Sequence, residues 1–259
     1  MTVASFATDR ALPPGRYGLR QAVAMEWIKL RSLRSLTLIL PAGMVVTVAL
    51  GAVIGSNSVN PADDVTNNIL GCIALAQFVF GTLGALMVTG EFSSGSIHAT
   101  LAAIPNRALL LAAKAGVFGV VVLVAGEVTV FVAFFAGKAA LGPHVPQPSL
   151  SQPDVLRAVV FTGFYLALIG LIGLALGAIV RHSAGAICLL VGVVFVLPAL
   201  RLGGHAGMRF FPEIIAANSL STTHPVGGQL PALAGLAMIA LYAAVLLAVA
   251  GYELVRRDA

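Results

Sequence analysis

The chain has 259 residues, 59% of them hydrophobic and 10% charged, with a mean hydropathy of +0.99 and a formal charge of +5. A soluble domain carries roughly 25% charged residues because its surface must face water, so this composition excludes a water-soluble enzyme or binding module. A bilayer is the natural solvent, and roughly 20 apolar residues per spanning helix plus connectors allow about six spans in one helical membrane domain.

The first predicted element is an amphipathic helix in YGLRQAVAMEWIKLRSLRS, residues 17–35. Leu19, Val23, Leu30 and Leu33 fall on one side at helical spacing, and Arg20, Trp27, Arg31 and Arg34 on an adjacent stripe. Such a helix lies at the interface, with leucines in the acyl boundary and arginines on phosphates. Glu26 projects near the apolar stripe and has two readings: a local pair with Lys29 at i,i+3, or a polar contact to another subunit. Six apolar windows follow, at 36–55, 68–90, 107–137, 155–180, 184–203 and 230–252. They are continuous runs rich in Leu, Ala, Val and Gly, unlike the alternating segments of a membrane barrel. About 35 residues precede the first window, longer than a cleavable leader, so that window is expected to remain as the first helix.

GEFSSGSIHATLAAIPNR, residues 90–107, separates the second and third windows. Glu91 and Phe92 close the second span, Ser93, Ser94 and Gly95 break the helix, and Ser93 or Ser96 is placed to cap the next one. Ile97, Leu101 and Ile104 then share one face, with His98 and Thr100 elsewhere, until Pro105 stops the helix and Arg107 anchors the third span. A plain connector needs only a few residues, so this short amphipathic helix reads as a segment built to be held at an angle and touched. Within the third window Glu127 is the notable ionisable residue, costing several kcal/mol at that depth unless paired or wetted. It reads either as a polar wall of a substrate path or proton-sensitive contact, or as a carboxyl sharing its proton with a neighbouring hydroxyl or sitting near a helix mouth.

The connectors 56–67 and 138–154 are loop-like, and 204–229 contains FFPEIIAANSL, which suits a short helix lying on or dipping into one leaflet. Gly51 and Gly55, and Gly173 and Gly177, form small-xxx-small pairs that read as generic helix packing rather than a dimer seam. Cys72 and Cys188 lie within windows and read as small hydrophobes. His98, His144, His182, His205 and His224 are scattered, with no metal-binding spacing, and Ser183 in HSAG has no acid or base beside it in sequence.

Orientation follows from the basic residues. With six crossings one side receives Arg10, Arg16, Arg20, Lys29, Arg31, Arg34, Arg107, Lys114, Arg181, Arg256 and Arg257, and the other Lys138, Arg157, Arg201 and Arg209. The positive-inside bias places both termini in the cytoplasm. The net charge then reflects topology and anionic lipid rather than nucleic-acid binding. The expected organisation is a cytoplasmic N-terminus with the amphipathic helix at 1–35, a six-span domain at 36–252 and a cytoplasmic tail at 253–259.

EWIKLRS before the first span and GEFSSGSIHATLAAIPNRALLLAAK from the second span into the third resemble the signature segments of ABC-2 type permeases, the membrane subunits of a class of ATP-binding cassette exporters. The resemblance covers essentially the whole chain. It implies a coupling helix that docks on a separate ATPase subunit, formed by Glu91, Phe92, Gly95, Ser96, Ile97, His98, Thr100, Leu101, Pro105 and Arg107. It also implies an elbow helix containing Glu26, Trp27, Lys29, Leu30 and Arg31. His98 departs from the pattern, standing where a permanently charged Arg or Lys is usual. The chain carries no G-x-x-x-x-G-K-[ST] phosphate loop; AGKAALG has Gly137 and Lys138 but lacks the earlier glycine. The resemblance therefore implies no catalytic residues here, ATP and Mg on the partner ATPase, a second permease subunit that is either a copy or a sister chain, and a place in the cell membrane. The alternative is a secondary transporter or channel working alone, which calls for broken helices or carboxylates near the midplane. An intramembrane enzyme is disfavoured, and the cargo is not legible.

Overall fold

A computed structural model describes residues 18–60, 64–104, 106–200, 207–223 and 227–256. Arg10, Arg16, Pro105, Arg201, His205, His224 and Arg257 lie outside the described residues. The regular structure among those residues is entirely helical. The elements are α1 (Leu19–Ser32), α2 (Arg34–Asn57), α3 (Val65–Leu70), α4 (Ile73–Ser93), α5 (Ser96–Ala103), α6 (Arg107–Ala140), α7 (Pro153–Val180), α8 (Ser183–Ala199), α9 (Pro212–Ile215, continued by a wide turn over Ala216–Leu220) and α10 (Ala232–Arg256).

Five helical stretches are long and apolar enough to cross a bilayer: Leu36–Asn57, Val65–Ser93, Arg107–Ala140, Pro153–Val180 and Ala232–Arg256. They are the signature of a multi-pass membrane protein. The predicted window at 184–203 instead yields the shorter α8. Its helix widens to i→i+5 bonding over Gly192–Val196, where the Leu197 amide reaches Gly192 O. Pro198 supplies no amide to bond Val194 O, and the helix ends at Ala199. α10 runs through Arg256, so the last span overshoots the predicted end at 252.

α7 is the central helix, packed most extensively on α4 and then on α6 and α10. Glycine makes that closeness possible. A Cβ on Gly84 would land on the carbonyl oxygen of Gly170, and one on Gly173 on that of Gly81, so the α4 and α7 backbones touch directly. Gly177 lies against Ala85 in the same seam, and Gly51 and Gly55 of α2 meet Ala133 and Gly137 of α6. Both predicted glycine pairs thus pack helices within the chain.

The FFPEIIAANSL segment is not laid on a surface. Ile215, Ala216 and Leu220 are buried between α7 and α10. Arg157 of α7 donates to Leu220 O and Thr222 O at 3.4 and 2.8 Å, Ser221 Oγ to Asn67 Oδ1 at 2.6 Å, and the Thr223 amide to Asp64 Oδ2 at 2.7 Å. At the opposite end of α7, Arg181 lies 5.1 Å from the Phe92 ring, Ser183 Oγ donates to Thr89 Oγ1 at 2.8 Å, and Arg107 Nη1 donates to Leu254 O at 2.8 Å. Cys72 is a buried core residue and Cys188 is exposed.

Candidate functional site

The end of α4 sets the geometry. The Ser93 and Ser94 hydroxyls turn back on Gly90 O at 3.1 and 2.8 Å, satisfying a terminal carbonyl of α4; neither Ser93 nor Ser96, the predicted caps, is the N-cap of α5. Gly95 is the N-cap of α5, at φ 70°, a left-handed conformation that favours glycine. α5 ends at Ile104, extended ahead of the proline. Asn106 then caps α6, its side chain accepting from the Leu109 amide at 3.0 Å.

α5 is therefore a short rod folded back on its neighbours. Ile97, Thr100 and Ile104 are buried, and Ile104 packs with Ala22 of α1 and Leu110 and Ala113 of α6. Thr100 belongs to this inner face, contrary to its predicted placement, because its hydroxyl has a partner there. Ser93, Ser94, Gly95, Ser96, His98, Ala99 and Ala102 are exposed and form an uncharged outer face.

Under α5 lies a closed ring of charge. Lys114 Nζ of α6 reaches Glu26 Oε2 of α1 at 2.6 Å and Glu91 Oε1 of α4 at 2.7 Å. Lys29 Nζ of α1 reaches Glu26 Oε1 and Glu91 Oε1, both at 3.1 Å, and donates to Thr100 Oγ1 of α5 at 2.8 Å. Two lysines bridge two glutamates, so the four charges cancel. Glu26 is fully buried and Lys114 nearly so, whereas Glu91 and Lys29 are partly accessible. Glu91 Oε2 is buried without a partner. The ring ties α1, α4 and α6 together and reaches α5 through Thr100.

The structure brings Glu26, Lys29, Glu91 and Thr100 together. Glu26 makes the predicted local pair with Lys29 and adds Lys114; being fully buried in a single chain, it is not presented to another subunit. Phe92 and Arg107 instead tie α4 and α6 to the ends of α7 and α10. The inward stripe of α1 is Ala22, Glu26 and Leu30; Leu19 and Val23, predicted to share the apolar side with Leu30, are exposed with Trp27 and Ile28. The ring pulls the helix round so that Glu26 faces inward. Arg31 stands 6.0 Å over the Trp27 ring on the outer side. Lys114 was visible in the sequence only as a topological charge. The signal that singled out Glu127, an ionisable residue inside an apolar run, applied to it equally.

Two further polar groups sit within the bundle. Glu127 lies against Gly163 of α7, where a Cβ would strike its carboxyl, and both carboxyl oxygens are buried with no hydrogen-bond partner. Elsewhere Tyr165 OH donates to Gln77 Oε1, and Gln77 Nε2 donates to Glu213 Oε2. The sequence showed Glu213 only as part of an amphipathic segment.

No family model matches the sequence, and no curated protein matches it either, so the geometry of the ring and of α5 carries the functional reading.

Proposed function

We propose that the chain is the membrane subunit of an ABC-type exporter of the ABC-2 permease class, driven by a separate ATPase that grips α5. The observation that carries this reading is the pairing of an uncharged, exposed α5 face with an ionic ring directly beneath it. A docking helix must present a surface outward and be rigidly coupled inward. Here Lys29 joins α5 to α1 and α4, and Lys114 extends the link to α6. Nucleotide-driven closure of the ATPase, holding ATP and Mg, would displace α5, and the ring would pass that motion to the spans as rigid bodies.

In this reading α8 and the buried 212–220 segment together complete a sixth crossing, both termini and α5 are cytoplasmic, and the chain resides in the cell membrane. A second permease subunit, a copy or a sister chain, completes the export route. No nucleic-acid partner is invoked. The test is site-directed cross-linking in native membranes from a cysteine placed at His98, the existing cysteines being replaced. The expected result is an adduct with a nucleotide-binding protein that weakens on nucleotide exchange. Labelling of that cysteine from the exterior face would sink the reading.

A second reading, an ATP-independent secondary transporter, is favoured by one specific set of features: the unpartnered Glu127 carboxyl, the half-buried Glu213 and the interrupted α8. Ion-driven substrate flux by the isolated chain in liposomes, indifferent to nucleotide and ATPase, would establish it over the first.

A further inference from the structure

Between α8 and α10, over a floor formed by α7, runs a groove of about 680 Å³. That volume lies in the range of small-molecule sites. Ile172 and Leu176 of α7 are its buried floor, and Leu189 and Val193 of α8 and Leu241 and Val245 of α10 are its exposed rims. The 207–212 segment supplies further lining. Tyr242 is the only lining side chain with a polar atom, and its hydroxyl is spent on Phe210 O at 3.1 Å.

The α10 rim falls in the middle of the Ala232–Arg256 span, at hydrocarbon depth, and Leu241 and Val245 there are 55% and 52% exposed. The groove therefore opens sideways, toward acyl chains. Water in it would find almost no hydrogen-bond partner, and an empty groove would forfeit dispersion contacts along every wall. Charge narrows the choice of occupant. Arg209 is partly exposed, and its guanidinium stands 4.9 Å over the ring of Phe210, a lining residue. Among the described residues no carboxylate pairs with it, and Glu213, the acid nearest along the chain, accepts from Gln77 inside the bundle. An arginine beside apolar spans calls for an anion, and its planar fork of donors matches a phosphate.

We infer that the groove holds one acyl chain of an anionic phospholipid of the surrounding bilayer, with the headgroup phosphate on Arg209. α8 packs on α4 and α7, and α10 on α7 and α6, so the acyl chain fills the space that the two helices leave between them. A zwitterionic lipid offers the groove the same chain, but its own cation offsets the phosphate, so Arg209 favours a headgroup with net negative charge. The inference is independent of what drives the protein.

The test is photo-cross-linking of the full chain in phosphatidylcholine nanodiscs, with adducts mapped by mass spectrometry. The probe is a phosphatidylglycerol, or for comparison a phosphatidylcholine, carrying a diazirine on one acyl chain. Adducts are expected on the α8 and α10 rims, with phosphatidylglycerol exceeding phosphatidylcholine by about fivefold, as one arginine near an anionic headgroup implies. The outward valines Val120, Val124 and Val128 of α6 should take both probes alike. Arg209→Gln should abolish the preference, and Val193→Trp, which fills the groove, should clear both probes from Leu241 and Val245. Each variant should keep the parent melting temperature within a few degrees. Equal labelling of the rims by both lipids, or rims labelled no more than the α6 valines, would overturn the inference, and the parent protein alone decides this. A preference unchanged in folded Arg209→Gln would overturn it too, as would an absence of rim adducts because a second copy covers the groove.

Discussion

The two ends of the bundle handle polar groups in opposite ways. At the α5 end, Glu26, Lys29, Glu91 and Lys114 pair with one another inside the chain, Glu91 Oε2 alone of the four carboxyl oxygens staying unpartnered, and leave exposed a helix face without Asp, Glu, Lys or Arg. At the far end, Arg157, Ser221 and Thr222 are spent on carbonyl and amide oxygens of nearby segments, and Ser219 Oγ and Gln229 Oε1 are buried without a partner. A network of ion pairs ties several helices to one another, whereas single hydrogen bonds to main-chain oxygens fasten one local segment. The prediction of greatest consequence breaks the closed end. Lys114→Ala leaves the fully buried Glu26 with Lys29 alone, and removing one partner of a buried pair costs up to about 3–5 kcal/mol. Thermal unfolding in nanodiscs should show the loss. The double variant Glu26→Gln with Lys114→Met should recover part of it, by a coupling of about 0.5–3 kcal/mol. Simple additivity would mean that the ring is not a unit.

The far end should give way less. Arg157→Ala deletes charge-assisted bonds to Leu220 O and Thr222 O, worth about 1.5–3 kcal/mol each at most, in a partly exposed setting where water replaces some of the loss. The expected signature is local: faster amide exchange over 216–223 with the α4–α7 seam still protected. If exchange rose equally in both places, the two regions would open as one unit and the contrast between the ends would fail.

That contrast also separates what the sequence made legible from what it did not. The spans at 36–55, 68–90, 107–137, 155–180 and 230–252 were readable because long apolar runs have one solution in a bilayer. α5 was readable because Gly95 and the proline at 105 bracket an amphipathic turn. The ring was half readable: Glu26, Lys29 and Glu91 drew notice singly, but their partner Lys114 lies 88 residues from Glu26 along the chain, and only packing brings it in. In α1 the sequence placed Glu26 near the apolar stripe, and only its distant partner Lys114 explains why a carboxylate is buried there. α8 was overextended because hydropathy does not register the missing amide of Pro198. The role of Arg157 at the far end was invisible, because it bonds main-chain oxygens 63 and 65 residues further along the chain.

The neck between α4 and α5 offers a smaller perturbation. Gly95→Ala forces a side chain into left-handed backbone at a cost of about 1–2 kcal/mol, with no collision, since nothing lies within 4 Å of its Cβ position. Global unfolding should shift by no more than that amount. Because Thr100 is held by Lys29, the ring should keep α5 docked, and protection of the Ile104 amide should persist. Detachment of α5 in this variant would assign its position to the glycine turn rather than to the ring.

The smallest effect on stability belongs to His98. Its side chain is exposed on the outer face of α5 and outside the ring, so His98→Ala should move stability by about 0.5 kcal/mol or less. If α5 is the surface an ATPase grips, the same substitution should lower transport or ATPase binding while the melting curve stays in place, and His98→Arg should retain or strengthen binding by fixing a positive charge there. Stability and coupling would then separate at a single residue, with the ring governing the first and the outer face the second. Wild-type coupling in His98→Ala would move the docking contact to Ser94, Ser96, Ala99 and Ala102, while loss of stability would place His98 in the core and erase the distinction between the two faces of α5.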